Sequence, residues 1–247
     1  MSSLLQSRFG SAGRRLLFHY HALTELGRRA PREVSIVITV HHLRVSQSER
    51  IVWLCEELGI PYELKTYPRE PNGAAPATYK ALHPQGTAPI INDGTLALAE
   101  TGAIVDYILT RHGGGRLVVG PHASNFPDYL YWLHFGNGFF VPAAMMSIVA
   151  SRMAGDNTQA AQGFKGRQEL AYRLSEERLG KVSYFAGPEF TAADIMMVFP
   201  LTTMRAATGR GLSDAPNLRA YLKRIGARPG YQRAMKMGDP EMKPELE

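Results

Sequence analysis

A strand–helix–strand succession between residues 36 and 67 most constrains how this chain can fold. Residues 36–40 are rich in β-branched side chains and residues 62–67 alternate in polarity, so both segments are predicted to be strands. The amphipathic run at residues 51–61 lies between them and predicts a helix. The first structural unit is therefore strand, helix, strand.

A proline and a turn signal follow this unit. The Asn-Asp-Gly sequence at residues 92–94 predicts a hairpin turn, and a second helix is predicted to start near Glu100 and Thr101. Pro89 stands just before the β-branched pair 90–91, although proline cannot donate to a strand ladder. An edge position or a cis bond in a tight turn resolves this conflict.

Two small hydroxyl side chains, Ser46 and Ser48, stand at the predicted start of the first helix. The backbone N–H groups there lack intrahelical partners and carry partial positive charge, so an anion or a thiolate is stabilised at this point. Ser46 with Glu49 three residues on also fits a capping box, which needs no ligand. The local spacing alone favours the cap over a thiolate site.

The second half of the chain is predicted to be helical. No strand alternation follows Asn125, and apolar residues recur at helical spacing. Thr191 and Asp194 precede an apolar run at residues 195–199, which predicts a capped, buried helix with Thr191 and Asp194 as capping residues. A Gly-rich stretch at residues 113–115, followed by Gly-Pro at 120–121, separates the two halves.

The order and spacing of these motifs resemble those of a known family. The motifs are the serine loop, Glu-Glu-Leu-Gly-Ile-Pro-Tyr-Glu at 56–63, His-Pro-Gln-Gly-Thr-Ala-Pro-Ile at 83–90, Ala-Glu-Thr-Gly-Ala-Ile at 99–104, Tyr-Trp-Leu-His-Phe at 131–135 and Phe-Thr-Ala-Ala-Asp-Ile at 190–195. Together they resemble the cytosolic glutathione transferases, most of all serine-type members from bacteria and fungi. The resemblance implies an α/β thioredoxin-like domain at residues 35–112, a linker at 113–124, an all-α domain at 125–247 and a homodimer.

The resemblance also implies an enzyme with glutathione as its co-substrate. Such an enzyme lowers the thiol pKa so that the thiolate can attack a small, hydrophobic electrophile. Ser46 takes the position of the family's activating serine, and Ser48 is the nearby alternative. A non-catalytic glutathione-binding or interaction module on the same fold is the leading alternative. Peroxide reduction, isomerisation or dehalogenation with glutathione is a third.

Other residues are expected to hold glutathione. Ala88, before Pro89, is expected to pair in β fashion with the cysteinyl backbone. Glu100 offers a carboxylate to the γ-glutamyl ammonium, and Thr101 offers a hydroxyl and an N–H to its carboxylate. Thr87 stands where many relatives have a lysine, which weakens one expected contact to the glycyl end.

The electrophile pocket is expected on the first helices of the second domain. Its candidate residues are Tyr131, His134, Phe135, Asn137 and Met145. No His-Glu or His-Cys spacing supports a metal site, so no metal is expected. The single cysteine, Cys55, excludes an internal disulfide and is predicted to be a buried structural thiol.

Charge is concentrated at the start of the chain. Residues 1–34 carry six arginines against two glutamates, out of a net charge of +6 for the whole chain. The remaining residues are close to neutral, which argues against nucleic-acid binding. The leader is interpreted as a mobile extension of a cytoplasmic protein, with a mitochondrial transit segment as the alternative. The apolar runs are predicted to be too short to cross a membrane.

Overall fold

The computed structural model describes residues 37–154 and 158–247, so the basic leader lies outside the described residues. A four-stranded sheet begins the described chain, with its strands at β1 (Ile38–Leu43), β2 (Tyr62–Tyr67), β3 (Ile90–Asp93) and β4 (Leu96–Ala99). Three helices accompany the sheet, namely α1 (Glu49–Leu58), α2 (Ala77–Lys80) and α3 (Thr101–Arg111). The strand order is β2-β1-β3-β4.

The pairing of these strands is that of a thioredoxin-like domain. Strand β1 pairs parallel with β2, to which α1 connects it, and antiparallel with β3. The predicted hairpin joins β3 to β4, which pair antiparallel. The Ala88–Pro89 bond is cis, and Pro89 directly precedes β3. The predicted strand–helix–strand unit, the hairpin and the second helix are confirmed.

Strand β1 extends further than its sequence predicted. It continues through His41 and His42 to Leu43, instead of ending at Val40. The added residues pair with β2, where His42 stands opposite Thr66, and His41 also pairs with Ile90 of β3. This pairing, on both sides for His41 and with β2 alone for His42, outweighs the lower strand propensity of the two histidines. His42 is thereby fixed beside the serine loop.

The predicted capping box at Ser46 and Glu49 is wrong. Helix α1 begins at Glu49, and its N-cap Ser48 makes no side-chain cap hydrogen bond. The Glu49 carboxyl instead accepts a hydrogen bond from Thr203 Oγ1 at 2.7 Å. Ser46 Oγ accepts from the Ser48 backbone N–H at 3.2 Å. Both side chains are therefore committed to contacts outside the cap.

The second half is built from helices, as predicted. They are α4 (Phe126–Phe135), a π-helical segment (Gly136–Phe140), α5 (Val141–Ala154), α6 (Gln159–Leu179), α7 (Ala192–Leu201), α8 (Thr203–Thr208), α9 (Pro216–Gly226) and α10 (Pro229–Gly238). Every residue of α7 is buried, and the capping box of Thr191 and Asp194 is present as predicted. Gly136 lets the chain pass close to α7, because a Cβ there would lie 2.7 Å from the Met196 carbonyl oxygen.

Helix α1 joins the sheet to the helical half through a shared core. Trp53 of α1 packs edge-on against Tyr231 of α10, with ring centroids 5.0 Å apart. Arg228 donates to the Glu57 carboxylate at 2.8 Å at the edge of this contact. Cys55 is buried within the same core, and burial raises the pKa of its thiol to about 12. Such a thiol is held protonated at neutral pH, as expected of a structural cysteine.

One helical stretch exceeds the length expected from the sequence. Residues Phe126–Met153 form 28 consecutive helical residues, and an 18-residue window within them has a mean hydropathy of 1.4, so the helix is long and apolar enough to cross a membrane. One such helix is weak evidence for a span, because core helices of globular proteins meet the same criteria. A third of that window is buried within the protein. The described residues contain no group of three or more His, Cys, Asp or Glu that could hold a metal.

Candidate functional site

A cleft of about 450 Å³ lies between the serine loop, the loop before β3 and helices α5, α7 and α8. Its polar wall comes from the sheet side and is lined by Ser46, Gln47, Arg69, Lys80, Gly86, Thr87 and Ala88. Its apolar wall comes mainly from the helical half and is lined by Val141, Met145, Ile148, Phe199 and Met204. The cleft therefore offers hydrogen-bonding groups on one side and an apolar surface on the other.

The loop that carries Ser46 is held by side chains from two distant segments. Val45 has a φ of 52°, a left-handed conformation that β-branched residues rarely adopt. Asp239 Oδ1 accepts from the Val45 N–H at 2.9 Å, and Arg69 donates to the Val45 carbonyl at 2.9 Å and to the Arg44 carbonyl at 2.9 Å. These three hydrogen bonds fix the turn and so the direction of Ser46.

Ser46 begins a chain of buried polar contacts. Its Oγ lies 2.8 Å from Ser48 Oγ, which in turn lies 2.8 Å from His42 Nδ1. His42 Nε2 lies 3.0 Å from Asp239 Oδ2. All four residues are less than a tenth exposed. The chain of contacts thus leads from the cleft into the interior of the protein.

Asp239 is ionised despite its burial. Burial alone would raise the pKa of this carboxyl, but the hydrogen bond and charge of His42 and the Val45 N–H together lower it below its usual value. A carboxylate has no proton to donate, so Nε2 of His42 is the donor in this pair. The other ring nitrogen, Nδ1, faces the Ser48 hydroxyl.

The structure brings together four of the predicted site residues. Ser46, Thr87, Ala88 and Met145 all line the cleft. Ser48, the alternative to Ser46, is fully buried and does not line it. Ser46 is therefore the serine whose hydroxyl a cleft ligand can reach.

Three further predicted residues lie behind or beside the polar wall and do not line the cleft. Pro89 is buried behind Ala88. Glu100 is the N-cap of α3, with a φ of 76°, and its exposed side chain accepts from the Gly102 N–H at 3.5 Å. Thr101 starts α3 and is buried. Their contacts to glutathione remain predictions.

The expected pocket role of Tyr131, His134 and Phe135 is not supported by their positions, because none of the three lines the cleft. Helix α4 turns Phe135 into the core, and Tyr131 stacks on Phe135 with ring centroids 5.4 Å apart. His134 lies on the exposed face of the helix. Trp132 and Leu133, which are buried between them, set the register of α4.

Asn137 reaches the site only through Arg50, which sequence reasoning missed. Arg50 is fully buried on α1, and its Nη1 donates to Asn137 Oδ1 at 2.5 Å and to Gln47 Oε1 at 3.3 Å. Its guanidinium lies 4.8 Å from the centroid of the Phe199 ring. Burial lowers the pKa of Arg50 to about 9, against the opposing charges of Glu49 and Glu100. Arg50 thus supports the cleft from below, since Gln47 and Phe199 line it.

Glu49 is a second buried ionisable group under the cleft. Burial raises its pKa to about 8, although the hydrogen bond from Thr203 and the charge of Arg50 oppose this. Burial therefore favours the neutral form of this carboxyl. Thr203, its partner, lines the cleft from α8. The pair joins α1 to the helical wall.

Three other functional candidates were missed in the sequence. Lys80 ends the four-residue helix α2 and is an exposed cation at the polar wall. The sequence feature that could have indicated Lys80 is its position just before the His-Pro-Gln-Gly motif. His42 and Asp239 are 197 residues apart in the chain, so local spacing contains no signal that relates them.

Comparisons with known proteins agree with this geometry. Residues 46–111 match the family described as Glutathione S-transferase, N-terminal domain, and residues 158–224 match Glutathione S-transferase, C-terminal domain. Glutathione S-transferase 3 of Schizosaccharomyces pombe is 32% identical over 208 residues, which cover 78% of this chain and 84% of that protein. Glutathione S-transferase 1 of Saccharomyces cerevisiae is 26% identical over 216 residues, covering 79% and 92%.

Solved structures give the same result. A glutathione S-transferase from Actinobacillus pleuropneumoniae superposes with a TM-score of 0.76 and 34% identity, covering 85% of this chain and 98% of that chain. A glutathione transferase family member from Pseudomonas fluorescens, solved with two glutathione bound, gives a TM-score of 0.68 at 21% identity, covering 83% and 95%. The second likeness supports the fold alone.

Proposed function

Because this chain belongs to the glutathione transferase family, we propose that it activates the thiol of glutathione as a thiolate for attack on a small hydrophobic electrophile. The observation that carries this proposal is the composition of the cleft. Ser46, Thr87 and Ala88 line one wall, and Met145 and Phe199 line the other. A peptide thiol and an apolar co-substrate can therefore meet at Ser46.

Ser46 is proposed to stabilise the thiolate. Its side chain lines the cleft one turn before α1, where the helix dipole favours negative charge. A hydroxyl that donates to the sulfur adds a charge-assisted hydrogen bond. Each unit by which the thiol pKa falls corresponds to about 1.4 kcal/mol of preference for the thiolate.

The polar wall is proposed to bind the peptide part of glutathione. Ala88 is next to the start of β3 and offers its backbone to the cysteinyl residue in β fashion. Lys80 and Arg69 supply positive charge to the glycyl carboxylate, which compensates for the lysine that Thr87 replaces. Glu100 and Thr101, at the start of α3, remain the proposed partners of the γ-glutamyl end.

The apolar wall is proposed to bind the electrophile. Met145 of α5 is about half exposed within the cleft, and Met204 of α8 lines the same surface. Methionine side chains are flexible and polarisable, so they adapt to apolar ligands of different shape. This wall therefore favours a hydrophobic co-substrate without selecting one compound.

A single purified sample tests the proposal against its alternatives. Glutathione is titrated by calorimetry, and the same sample is assayed for conjugation, peroxide reduction, isomerisation and dehalogenation. Binding together with conjugation supports the proposal. Binding without any turnover favours the non-catalytic module, and turnover in another assay alone favours that reaction.

Assembly and location belong to the same proposal. A homodimer, typical of the family, would cover apolar side chains that are exposed on α4 and α5 of a single chain, including Tyr131, Met146 and Val149. Light scattering of the full chain tests the dimer, since a monomer at micromolar concentration would contradict it.

A cytoplasmic location is proposed, with the mitochondrion as the alternative, and cell fractionation separates the two.

A further inference from the structure

A buried aspartate–histidine pair stands behind the serine that faces the cleft. Asp239 follows α10 at the far end of the chain, and Oδ2 of its carboxylate lies 3.0 Å from His42 Nε2. The backbone of α10 approaches the ring closely at Gly238, where a Cβ would lie 3.1 Å from Nε2. Two serine hydroxyls connect Nδ1 of the same ring to the cleft.

The donors and acceptors of this chain of contacts fit the following arrangement when His42 is neutral. Its Nε2–H donates to the Asp239 carboxylate, so Nδ1 is an acceptor. Ser48 donates to Nδ1 at 2.8 Å, a shorter contact than its alternative acceptor, the Leu43 carbonyl at 3.2 Å. Ser48 Oγ also accepts from the Leu43 N–H at 3.1 Å. The 2.8 Å contact between the serine oxygens needs a proton, which Ser46 supplies. Ser46 Oγ is then an acceptor toward the cleft.

We propose that the thiol proton of bound glutathione passes through Ser46 and Ser48 to Nδ1 of His42, where Asp239 stabilises the imidazolium. This inference rests on the proposed function. The S–H bond breaks with its electron pair left on sulfur, and an N–H bond forms at Nδ1. Each serine oxygen receives one proton and gives up one.

The transfer reverses each hydrogen bond between the thiol and Nδ1 of His42, while Nε2–H continues to donate to Asp239. Ser46 now donates to the thiolate, Ser48 donates to Ser46, and Nδ1 of His42 donates to Ser48. The same shift that removes the proton thus points the Ser46 hydroxyl at the charge it stabilises. His42 and Asp239 do not touch the substrate, so they act as positioning residues through the serines.

Other charged groups surround the pair from each neighbouring element. Arg44, after β1, lies 3.7 Å from Glu241, and its positive charge helps to lower the pKa of Asp239. Burial lowers the pKa of Arg69, and the negative charge of Asp239 partly offsets that effect. The same negative charge helps to raise the pKa of Glu49 on α1. The two arginines offset the negative charges beside the imidazolium.

Asp239→Asn is the principal test, because it keeps shape and removes the charge. Its Oδ1 can still accept from the Val45 N–H, but its amide donates toward Nε2 of His42. Nδ1 then carries the ring proton and cannot accept another, the tautomer error described for serine protease triads. At neutral pH we expect less bound thiolate by ultraviolet absorbance and a kcat lower by about tenfold to a hundredfold. Calorimetry should find glutathione Kd changed by less than about threefold.

Proton release gives a readout that a structural role would not move. Calorimetric titration of glutathione in buffers of different ionisation enthalpy counts the protons lost per thiolate formed. In the parent protein the proton stays on His42, so release should be well under about one proton. In Asp239→Asn, any thiolate that still forms should release about one proton to the buffer.

A second variant and a matched control complete the design. Ser48→Ala breaks the relay but leaves His42 and Asp239 in place, so it should show the same loss of thiolate as Asp239→Asn. It therefore tests the relay even if Asp239→Asn does not fold. Asp93→Asn is the control, because His112 Nε2 and Asp93 Oδ2 are also 3.0 Å apart but do not line the cleft. This control should keep the parent pH profile and proton count.

The outcomes separate this proposal from the proposed function. If the parent protein neither binds glutathione nor forms its thiolate, the proposed function itself fails. If the parent forms the thiolate and both relay variants keep its pH titration and proton count, the relay alone is overturned. A lower thiolate fraction in the relay variants, with the control unchanged, supports it.

Discussion

The two walls of the cleft differ in how they are built. The polar wall consists of loop residues at the edge of the sheet, held by side chains such as Arg69 and Asp239 that hydrogen bond to backbone. The apolar wall consists of side chains on helices, among them Met145 and Phe199, whose positions follow from helix packing. Hydrogen bonds fix direction, whereas apolar contacts fix only proximity. The polar wall is therefore suited to orienting a reacting group, and the apolar wall to accepting ligands of different shape.

This contrast predicts the largest loss at Ser46. Ser46→Ala removes the hydroxyl that faces the thiol, so conjugation kcat should fall by about tenfold to a hundredfold and the apparent pKa of bound glutathione should rise. Steady-state rates against pH measure both. Ser147→Ala, a serine of α5 outside the cleft, is the control. An unchanged profile in Ser46→Ala, with Ser48→Ala inactive, would move the role to Ser48.

A smaller loss, in binding alone, is predicted at Lys80. Lys80→Gln removes a cation remote from the sulfur, so it should raise the glutathione KM about fivefold to tenfold with little change in kcat. Adding Thr87→Lys should restore part of the affinity by returning a cation to the same wall. Lys65→Gln, an exposed lysine of β2 outside the cleft, is the control. A KM that stays at the parent value would exclude Lys80 from glutathione binding.

The apolar wall should respond in selectivity and not in chemistry. Met145→Ala removes apolar surface from the electrophile side, so kcat/KM should fall about threefold to tenfold for bulky electrophiles and less for small ones. The glutathione KM should not change. Met153→Ala lies on the same helix with 83% of its surface exposed and serves as the control. Equal losses for all electrophiles would show that Met145 supports the fold instead.

The smallest effect is predicted where the two walls are joined, at Glu49 and Thr203. Burial raises the pKa of Glu49 in the folded state to about 8, above its ordinary value of 4.5. The stability from the protonated carboxyl is thus complete below pH 4.5 and is lost as pH rises toward 8. Glu49→Gln should match the parent near pH 5 and exceed its Tm by about 2–6 °C at pH 8. A Tm difference that does not grow with pH would contradict the buried neutral carboxyl.

Local sequence patterns predicted the sheet side well. The strand at Tyr62–Tyr67, the hairpin and the start of α3 follow from side-chain alternation and turn residues, which act over a few positions. The end of β1 was missed because strand pairing, and not propensity, extends it: His41 pairs with β2 and β3, and His42 pairs with β2. Strand ends depend on such tertiary contacts.

The helical wall was less predictable. Periodicity indicated helices, but the face that α4 turns to the core depends on packing against α7, and the sequence alone could not show that Tyr131, His134 and Phe135 do not line this cleft. Met145, and Ser46 and Ala88, which the resemblance named, do line the cleft. His42 and Asp239 come together only in the folded chain, which no local pattern can express.

The left-handed turn at Val45 implies a conflict between the stability of the fold and the orientation of the Ser46 side chain. A β-branched residue with a φ of 52° costs the folded state of order 1–3 kcal/mol. Glycine there would relieve that cost in the native protein but would also enlarge the conformational freedom of the unfolded chain, so the net gain is smaller than the relief. The freed loop would sample several orientations, and the serine beside it would spend less time aimed at the cleft. Evolution or engineering toward heat tolerance at this position would therefore proceed at the expense of turnover.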